Sequence, residues 1–283
     1  MNLFKKDIAC PLIPFAQKHR RAIMIALTGI VVAIFLYLNF VNWQSGIISN
    51  GESGIKYWLD TERYIGGADK IINDQNLTGR DFHYTGYMLI LALIQILNLP
   101  LVSIVILQIA VALVAAYLLF DVAKMLTKSN IAGLVAAALF LCNPYIVKWH
   151  LYILTESLYT SMVIICLWAF AKLLTAKKLK YYLISLTILI ITMSVRPNGW
   201  ILLPVFIIAI IISLNISNKY KVISGLSAFV IFVLIMALIP GFNKNIQLTS
   251  PIENLQKGVT VWGHDELNLD MPQEPDIDKS NWT

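Results

Sequence analysis

Gly86-Tyr87-Met88-Leu89-Ile90-Leu91-Ala92-Leu93-Ile94-Gln95-Ile96-Leu97 is an unbroken, almost wholly apolar run that stops at Asn98-Leu99-Pro100. How it is read decides the fold. A dozen residues make about 18 Å of helix, well short of a hydrocarbon core of roughly 30 Å. The run is therefore expected to lie at the outer interface, and the next run, Leu101–Phe120, to cross the membrane. Counting both as crossings would put Lys124 and Lys128 outside and invert every later basic loop. The bias of Lys and Arg toward the cytoplasmic side argues against that.

Composition places the chain in the same class. Its 283 residues are 58% hydrophobic and only 13% charged, with a mean hydropathy of +0.71, whereas a soluble domain is roughly a quarter charged. Long apolar runs recur, so the expected fold is all-α: a polytopic helical membrane protein with about seven transmembrane helices, an outer interfacial helix and its amino terminus inside. The pI near 9.1 does not point to nucleic acid, because the basic residues sit in short loops between apolar runs, as cytoplasmic loops do. Cys10, Cys142 and Cys166 have neither disulfide-framework nor zinc-ligand spacing.

Residues 1–21 read as a cytoplasmic basic leader, and Ala22–Val41 as an uncleaved anchor. The outer loop, 42–100, contains a polar stretch (42–85) and the interfacial run. After Leu101–Phe120 the expected spans are Ile131–Val147, Ser157–Leu174, Tyr182–Val195, Gly199–Leu214 and Val222–Pro240. Residues 22–240 thus form a transmembrane domain, and 241–283 an acidic outer tail. With this topology the leader bases, Lys124, Lys128, Lys172, Lys177, Lys178, Lys180, Lys219 and Lys221 lie inside, with Asp7 and Asp121 as the only acids there. The remaining acids face outward.

No Asp, Glu, Lys, Arg or His falls in the middle of an expected span. A proton-coupled transporter or ion path usually places an ionisable group near the midplane. Polar chemistry gathers instead on the outer side, at Asp60, Glu62, Arg63, His83, Glu156 and Arg196. In a helix, Asp60 and Tyr64 would share a face, while Glu62 would point roughly 200° away from Asp60. Arg196 sits in the break Ser194-Val195-Arg196-Pro197-Asn198-Gly199 between two short limbs. There it either finds a partner or water-filled cavity, or snorkels to the interface. Glu156 is either an ordinary helix-start carboxylate or one wall of an outer cavity. His83, His150 and His264 match no metal motif and read as interfacial histidines.

The order of these elements resembles the GT-C class of membrane glycosyltransferases, nearest the branch of protein O-mannosyltransferases and the lipid A aminoarabinose transferase. Asp60-Thr61-Glu62-Arg63-Tyr64-Ile65-Gly66-Gly67-Ala68 is similar to that branch's Asp-Glu-x-Arg-Tyr-x-x-x-Ala signature, and His83-Tyr84-Thr85-Gly86-Tyr87 stands where the branch has a proline- and tyrosine-containing lead-in to its interfacial helix. Two departures stand out: the second acid comes one place late, at Glu62, and the chain ends after seven expected spans where members usually continue. The resemblance covers roughly residues 20–240 and implies a partial member of the class.

The resemblance also implies an activity. A sugar passes from a polyprenyl-phosphate donor to a lipid, glycan or protein acceptor at the outer face of a bacterial plasma membrane, with inversion. Asp60 would be the general base. Arg196 or Arg63 would stabilise the departing phosphate. Glu62, Tyr64, His83, Tyr87 and Glu156 would be candidates for positioning sugar or acceptor. Some class members use a divalent metal, but no residue pattern here assigns one. A flippase for lipid-linked sugars, an inactive membrane assembly protein and an outer-surface polysaccharide polymerase are the competing classes; the last would carry a large arginine-rich outer loop, whereas the 42–85 loop has only Arg63 and Arg80.

Overall fold

The computed structural model describes residues 20–50, 54–77 and 79–213, which all belong to one unit of the chain. Val222–Pro240, the tail 241–283 with His264, and nearly all of the leader lie outside the described residues. Among the described residues the structure is helical, and the only strand-like pairing is a single parallel bridge between Lys56 and Tyr152.

Helix α1 runs from Arg20 to Asn50, beyond the Val41 at which the apolar run ends. Nothing in the extension breaks a helix, and its polar groups find partners: the Asn42 amide donates to the Val147 carbonyl at 3.3 Å, and Lys56 Nζ donates to Asn42 Oδ1 at 3.0 Å. Ile25, Tyr37 and Ile48 are exposed on α1, as they would be on a helix that meets hydrocarbon. A short extended segment leads to α2 (Leu59–Ile72), followed by a 3-10 turn at Gly79–Tyr84. Helix α3 (Thr85–Ile96) is the short apolar helix expected from the sequence. Helix α4 (Val102–Thr127) follows it.

The next expected span, Ile131–Val147, is not one helix. Helix α5 (Asn130–Leu141) ends before Asn143-Pro144, and α6 (Pro144–Val147) with the 3-10 turn Lys148–Leu151 continues at 48° to it. Proline at a first helical position lacks the N–H that would continue the helix before it. The Asn143 side chain starts a new helix by accepting the Tyr145 N–H at 2.9 Å. Helices α7 (Thr155–Ala176) and α8 (Leu179–Val195) come next. A 3-10 turn at Pro197–Ile201 then leads to α9 (Leu202–Ser213).

Among the described residues, α1, α4 and α7 are long and apolar enough to cross a membrane, and the bent α5–α6 pair makes a fourth such segment. Helix α8 and the stretch 197–213 are apolar but shorter. The molecule is thus an all-α, polytopic membrane protein.

Three apolar clusters hold the helices together. Phe35 of α1 packs with Ala112, Ala115 and Ala116 of α4 and with Ala137 and Phe140 of α5. Small residues let these backbones approach closely: a Cβ at Gly133 would come within 2.8 Å of the Phe120 carbonyl oxygen. The second cluster joins α7, α8 and α9 through Phe170, Leu173, Leu186, Leu189 and Phe206. The third sets α2 and α3 against the beginning of α7, with Tyr64, Ala68, Tyr87, Met88 and Leu91 meeting Ile153, Leu154 and Leu158. Gly67 lies directly against the Met88 side chain, and Gly86 against Ser194 at the end of α8. This third cluster carries the candidate site.

Candidate functional site

The site is assembled where α2, the lead-in to α3, the start of α7 and the end of α8 meet. The Thr61 hydroxyl fixes the start of α2. It accepts the Trp58 N–H at 3.0 Å and donates to the Ile153 carbonyl at 3.3 Å, a side-chain cap that also ties α2 to the segment before α7. That segment is held from two further sides. Buried Gln108 of α4 donates to the carbonyls of His150 (3.2 Å) and Tyr152 (3.1 Å). His150, expected at an interface, is instead fully buried, with Nδ1 2.9 Å from Asn39 Oδ1 of α1. The reason is tertiary: the break at Pro144 turns the chain back into the bundle, where α1 supplies the polar partner.

On this frame the charged residues pair. Arg63 Nη1 lies 3.3 Å from Asp60 Oδ1, one turn away on α2, and Asp60 keeps 40% of its side chain exposed. The Arg63 guanidinium stacks over Tyr64 (5.1 Å) and Tyr84 (4.9 Å), a favourable placement of a cation on aromatic faces. Its Nε is 4.0 Å from Asp81, which is buried and accepts from Lys70 at 2.9 Å. Across the site, Arg196 Nη1 is 2.7 Å from Glu156 Oε1 and 3.4 Å from Thr155 Oγ1, with its guanidinium carbon 5.8 Å from the Tyr159 ring. Of the two readings of Arg196, partner or snorkel, the structure supplies the partner.

Tyrosines join the two halves. The Tyr64 ring is 5.3 Å from Tyr84 and 5.2 Å from Tyr87. The Tyr64 hydroxyl accepts from Arg63 at 3.4 Å and meets Thr155, which also accepts from Arg196. A polar line therefore runs Asp60–Arg63–Tyr64–Thr155–Arg196–Glu156. Burial, with Tyr84 and Asp60 nearby, pushes the Tyr64 phenol well above its ordinary value. Burial does the same to Tyr87, so both are protonated donors at neutral pH. Burial opposes the Arg63 charge, but Tyr64, Asp60 and Tyr84 more than offset it.

Asp60, Arg63, Tyr64, Tyr87, Glu156 and Arg196 are thus brought together. Glu62 is exposed on α2, on the face turned from Asp60. His83 is half-buried in the turn before α3, edge-on to Phe82 with ring centroids 6.1 Å apart. Asp81, Tyr84, Thr155 and Tyr159 belong to the cluster without having been singled out from the sequence. Tyr84 and Thr155 stand inside stretches that were, whereas Asp81 looked like any other acid of a polar loop. Among the described residues no group of three or more His, Cys, Asp or Glu could hold a metal ion.

Fold and site together define a polytopic helical membrane protein with a paired-charge, tyrosine-lined site beside a short apolar helix. The sequence model of the dolichyl-phosphate-mannose-protein mannosyltransferase family matches residues 85–239, more than half of the chain, and the chain belongs to that family. It is a membrane glycosyltransferase of the GT-C type that uses a polyprenyl-phosphate-linked sugar as donor. The match begins at Thr85, so the Asp60–Tyr64 stretch lies outside it. Neither a curated protein nor a solved structure matches the chain.

Proposed function

We propose that this chain transfers the sugar at the outer face of a bacterial plasma membrane by direct, inverting displacement, with Asp60 as the general base. The acceptor hydroxyl oxygen attacks the anomeric carbon as the bond from that carbon to the phosphate oxygen breaks. The proton passes to the Asp60 carboxylate, and the polyprenyl phosphate leaves with the electron pair. Partial exposure of Asp60 leaves its carboxylate open to an acceptor, while Arg63 orients it. Arg196 offers guanidinium donors beyond the one engaged by Glu156 and would meet the negative charge developing on the phosphate; Arg63 is the other cation in reach of that task.

The observation that carries this reading is the polar line from Asp60 to Arg196 through Tyr64 and Thr155. It links a carboxylate and a fixed cation through one group of tyrosines. Residues 22–240 would form the catalytic domain, 1–21 a cytoplasmic leader and 241–283 an outer acidic tail. A lipid, glycan or protein would be the acceptor.

Turnover of a polyprenyl-phosphate sugar by Asp60→Asn and Glu62→Gln tests the assignment. Loss of a general base costs typically 10²–10⁴-fold, so Asp60→Asn should fall by that order while Glu62→Gln stays within a few-fold of the wild type. Undiminished turnover by Asp60→Asn removes Asp60 from the mechanism.

A further inference from the structure

The contacts around the Arg63 guanidinium differ in how firmly they can hold it. Asp60 lies 3.3 Å from Nη1, one turn along the same helix, but keeps 40% of its side chain exposed. An ion pair so open to water is screened and orients little by itself. Tyr64 and Tyr84 lie with ring centroids 5.1 and 4.9 Å from the guanidinium carbon. Such contacts place that carbon without selecting which edge of the group turns which way. Nη2 reaches the Tyr64 hydroxyl at 3.4 Å, a long hydrogen bond. The remaining edge carries Nε, a buried donor with no hydrogen-bond partner in the protein. Asp81 Oδ1 stands 4.0 Å from it, on a side chain only 12% exposed.

Asp81 differs from an ordinary loop acid in where it stands. It belongs to the turn Gly79–Tyr84, not to the helix that carries Arg63, so it ties the guanidinium to a second element. Its two oxygens are divided between two cations. Oδ2 accepts from Lys70 Nζ at 2.9 Å, and Oδ1 is the oxygen nearer Arg63. Away from water, charges 4 Å apart act on one another several times more strongly than in bulk solvent. The buried acid therefore outweighs the exposed one in setting how Arg63 lies. Lys70 is 39% exposed and can turn to water, whereas Arg63, at 22%, has less freedom to do so.

Resting on the transferase reading above, we propose that Asp81 is a positioning residue of the transfer reaction. From the turn before α3 it fixes the rotation of the Arg63 guanidinium, and Arg63 in turn aims the Asp60 carboxylate at the acceptor hydroxyl. The alternative role, a plain tie between Lys70 and the turn, involves the same carboxylate but not Arg63. The two roles are separable by experiment.

The full chain in lipid nanodiscs is assayed with a polyprenyl-phosphate sugar as wild type, Asp81→Asn and Lys70→Met. Both variants lose the Lys70–Asp81 ion pair, so both should unfold at a lower temperature. Only Asp81→Asn should lose turnover, by on the order of 10–100-fold in kcat with KM for the donor little changed, since a misaimed base acts on the transition state. Lys70→Met should stay within a few-fold of the wild type. In an Arg63→Gln background, Asp81→Asn should cost almost nothing further, because the group it acts through is gone. Should Asp81→Asn fail to fold, the double variant Lys70→Met/Asp81→Asn removes both charges of the pair and is compared with Lys70→Met.

A second readout does not need activity. In magic-angle-spinning NMR of the arginine-labelled protein, the Arg63 Nε–H signal is the one lost in Arg63→Gln. It should keep a rigid dipolar coupling in wild type and Lys70→Met and lose it in Asp81→Asn. Equal kcat losses in Asp81→Asn and Lys70→Met overturn the proposal, as do losses that multiply in the Arg63→Gln background or an Nε–H coupling indifferent to Asp81→Asn. A wild type that turns over no polyprenyl-phosphate sugar overturns the transferase reading instead, and the Nε–H coupling then still decides whether Asp81 holds Arg63.

Discussion

Each charge in this site is held by a nearby opposite charge. Arg63 faces Asp60 and Asp81, Lys70 faces Asp81, and Arg196 faces Glu156. That arrangement lets arginines stand where little water reaches, because the cost of burying a charge falls when it is paired and hydrogen-bonded. In the proposed reaction, a phosphate reaching Arg196 would meet a guanidinium already oriented, with donors to spare. His83 is a contrasting case. Burial holds its imidazole below the ordinary value, so the unfolded chain binds a proton that the folded state resists. Its contribution to stability is present above pH about 6.5 and is lost as pH falls below that, toward the folded value. Thermal unfolding of the purified protein between pH 7.5 and 5 should therefore show wild type losing more stability on acidification than His83→Gln. Parallel pH profiles for the two would exclude this role for His83.

At the level of elements, the segment before α7 determines where Glu156 stands. Gln108 reaches from α4 to two of its carbonyls, Asn39 reaches from α1 to His150, and Thr61 reaches from α2 to Ile153. Gln108→Leu removes the donors of two buried or part-buried carbonyls while keeping most of the side-chain volume. Unpaired buried groups cost about 1–3 kcal/mol, so a clear fall in thermal unfolding temperature is expected. A loss of transferase activity larger than the unfolded fraction explains should accompany it. Unchanged stability would show that the segment is held without Gln108. The elements themselves were largely legible. The short apolar helix, the two helices flanking Arg196 and the long apolar helices follow from run length and from Pro and Gly. The break at Asn143-Pro144 was also marked in the sequence, since proline ends helices, but the apolar character on both sides of it conceals the turn. Asp81 and His150 were not legible, because burial of a polar residue depends on what packs over it.

Across the whole molecule, the site lies at the end of α7 that begins with Thr155. A second polar tie sits toward its other end, where Asp121 accepts from Trp168 (2.9 Å) and Lys172 (2.7 Å). Thr155 and Lys172 are separated by about 25 Å along the helix, comparable with a hydrocarbon core of roughly 30 Å. The two polar clusters are thus spaced as groups at opposite membrane surfaces would be. With the native cysteines replaced, a cysteine at Glu62 should react with a membrane-impermeant maleimide in intact cells. One at Lys124 should react only after the cells are permeabilised. The opposite pattern would place the site on the cytoplasmic side.

Composition and periodicity alone determined that this is an all-α membrane protein, because apolar runs of a given length have few ways to satisfy their backbone groups in lipid. Residue spacing also determined that Asp60 and Glu62 would part company, since a helix turns through a fixed angle per residue. Which charges pair, and that Arg196 meets Glu156, were decided only by tertiary structure. Arg196 and Thr155, for example, stand 41 positions apart, and nothing in local sequence encodes which two helix ends will meet.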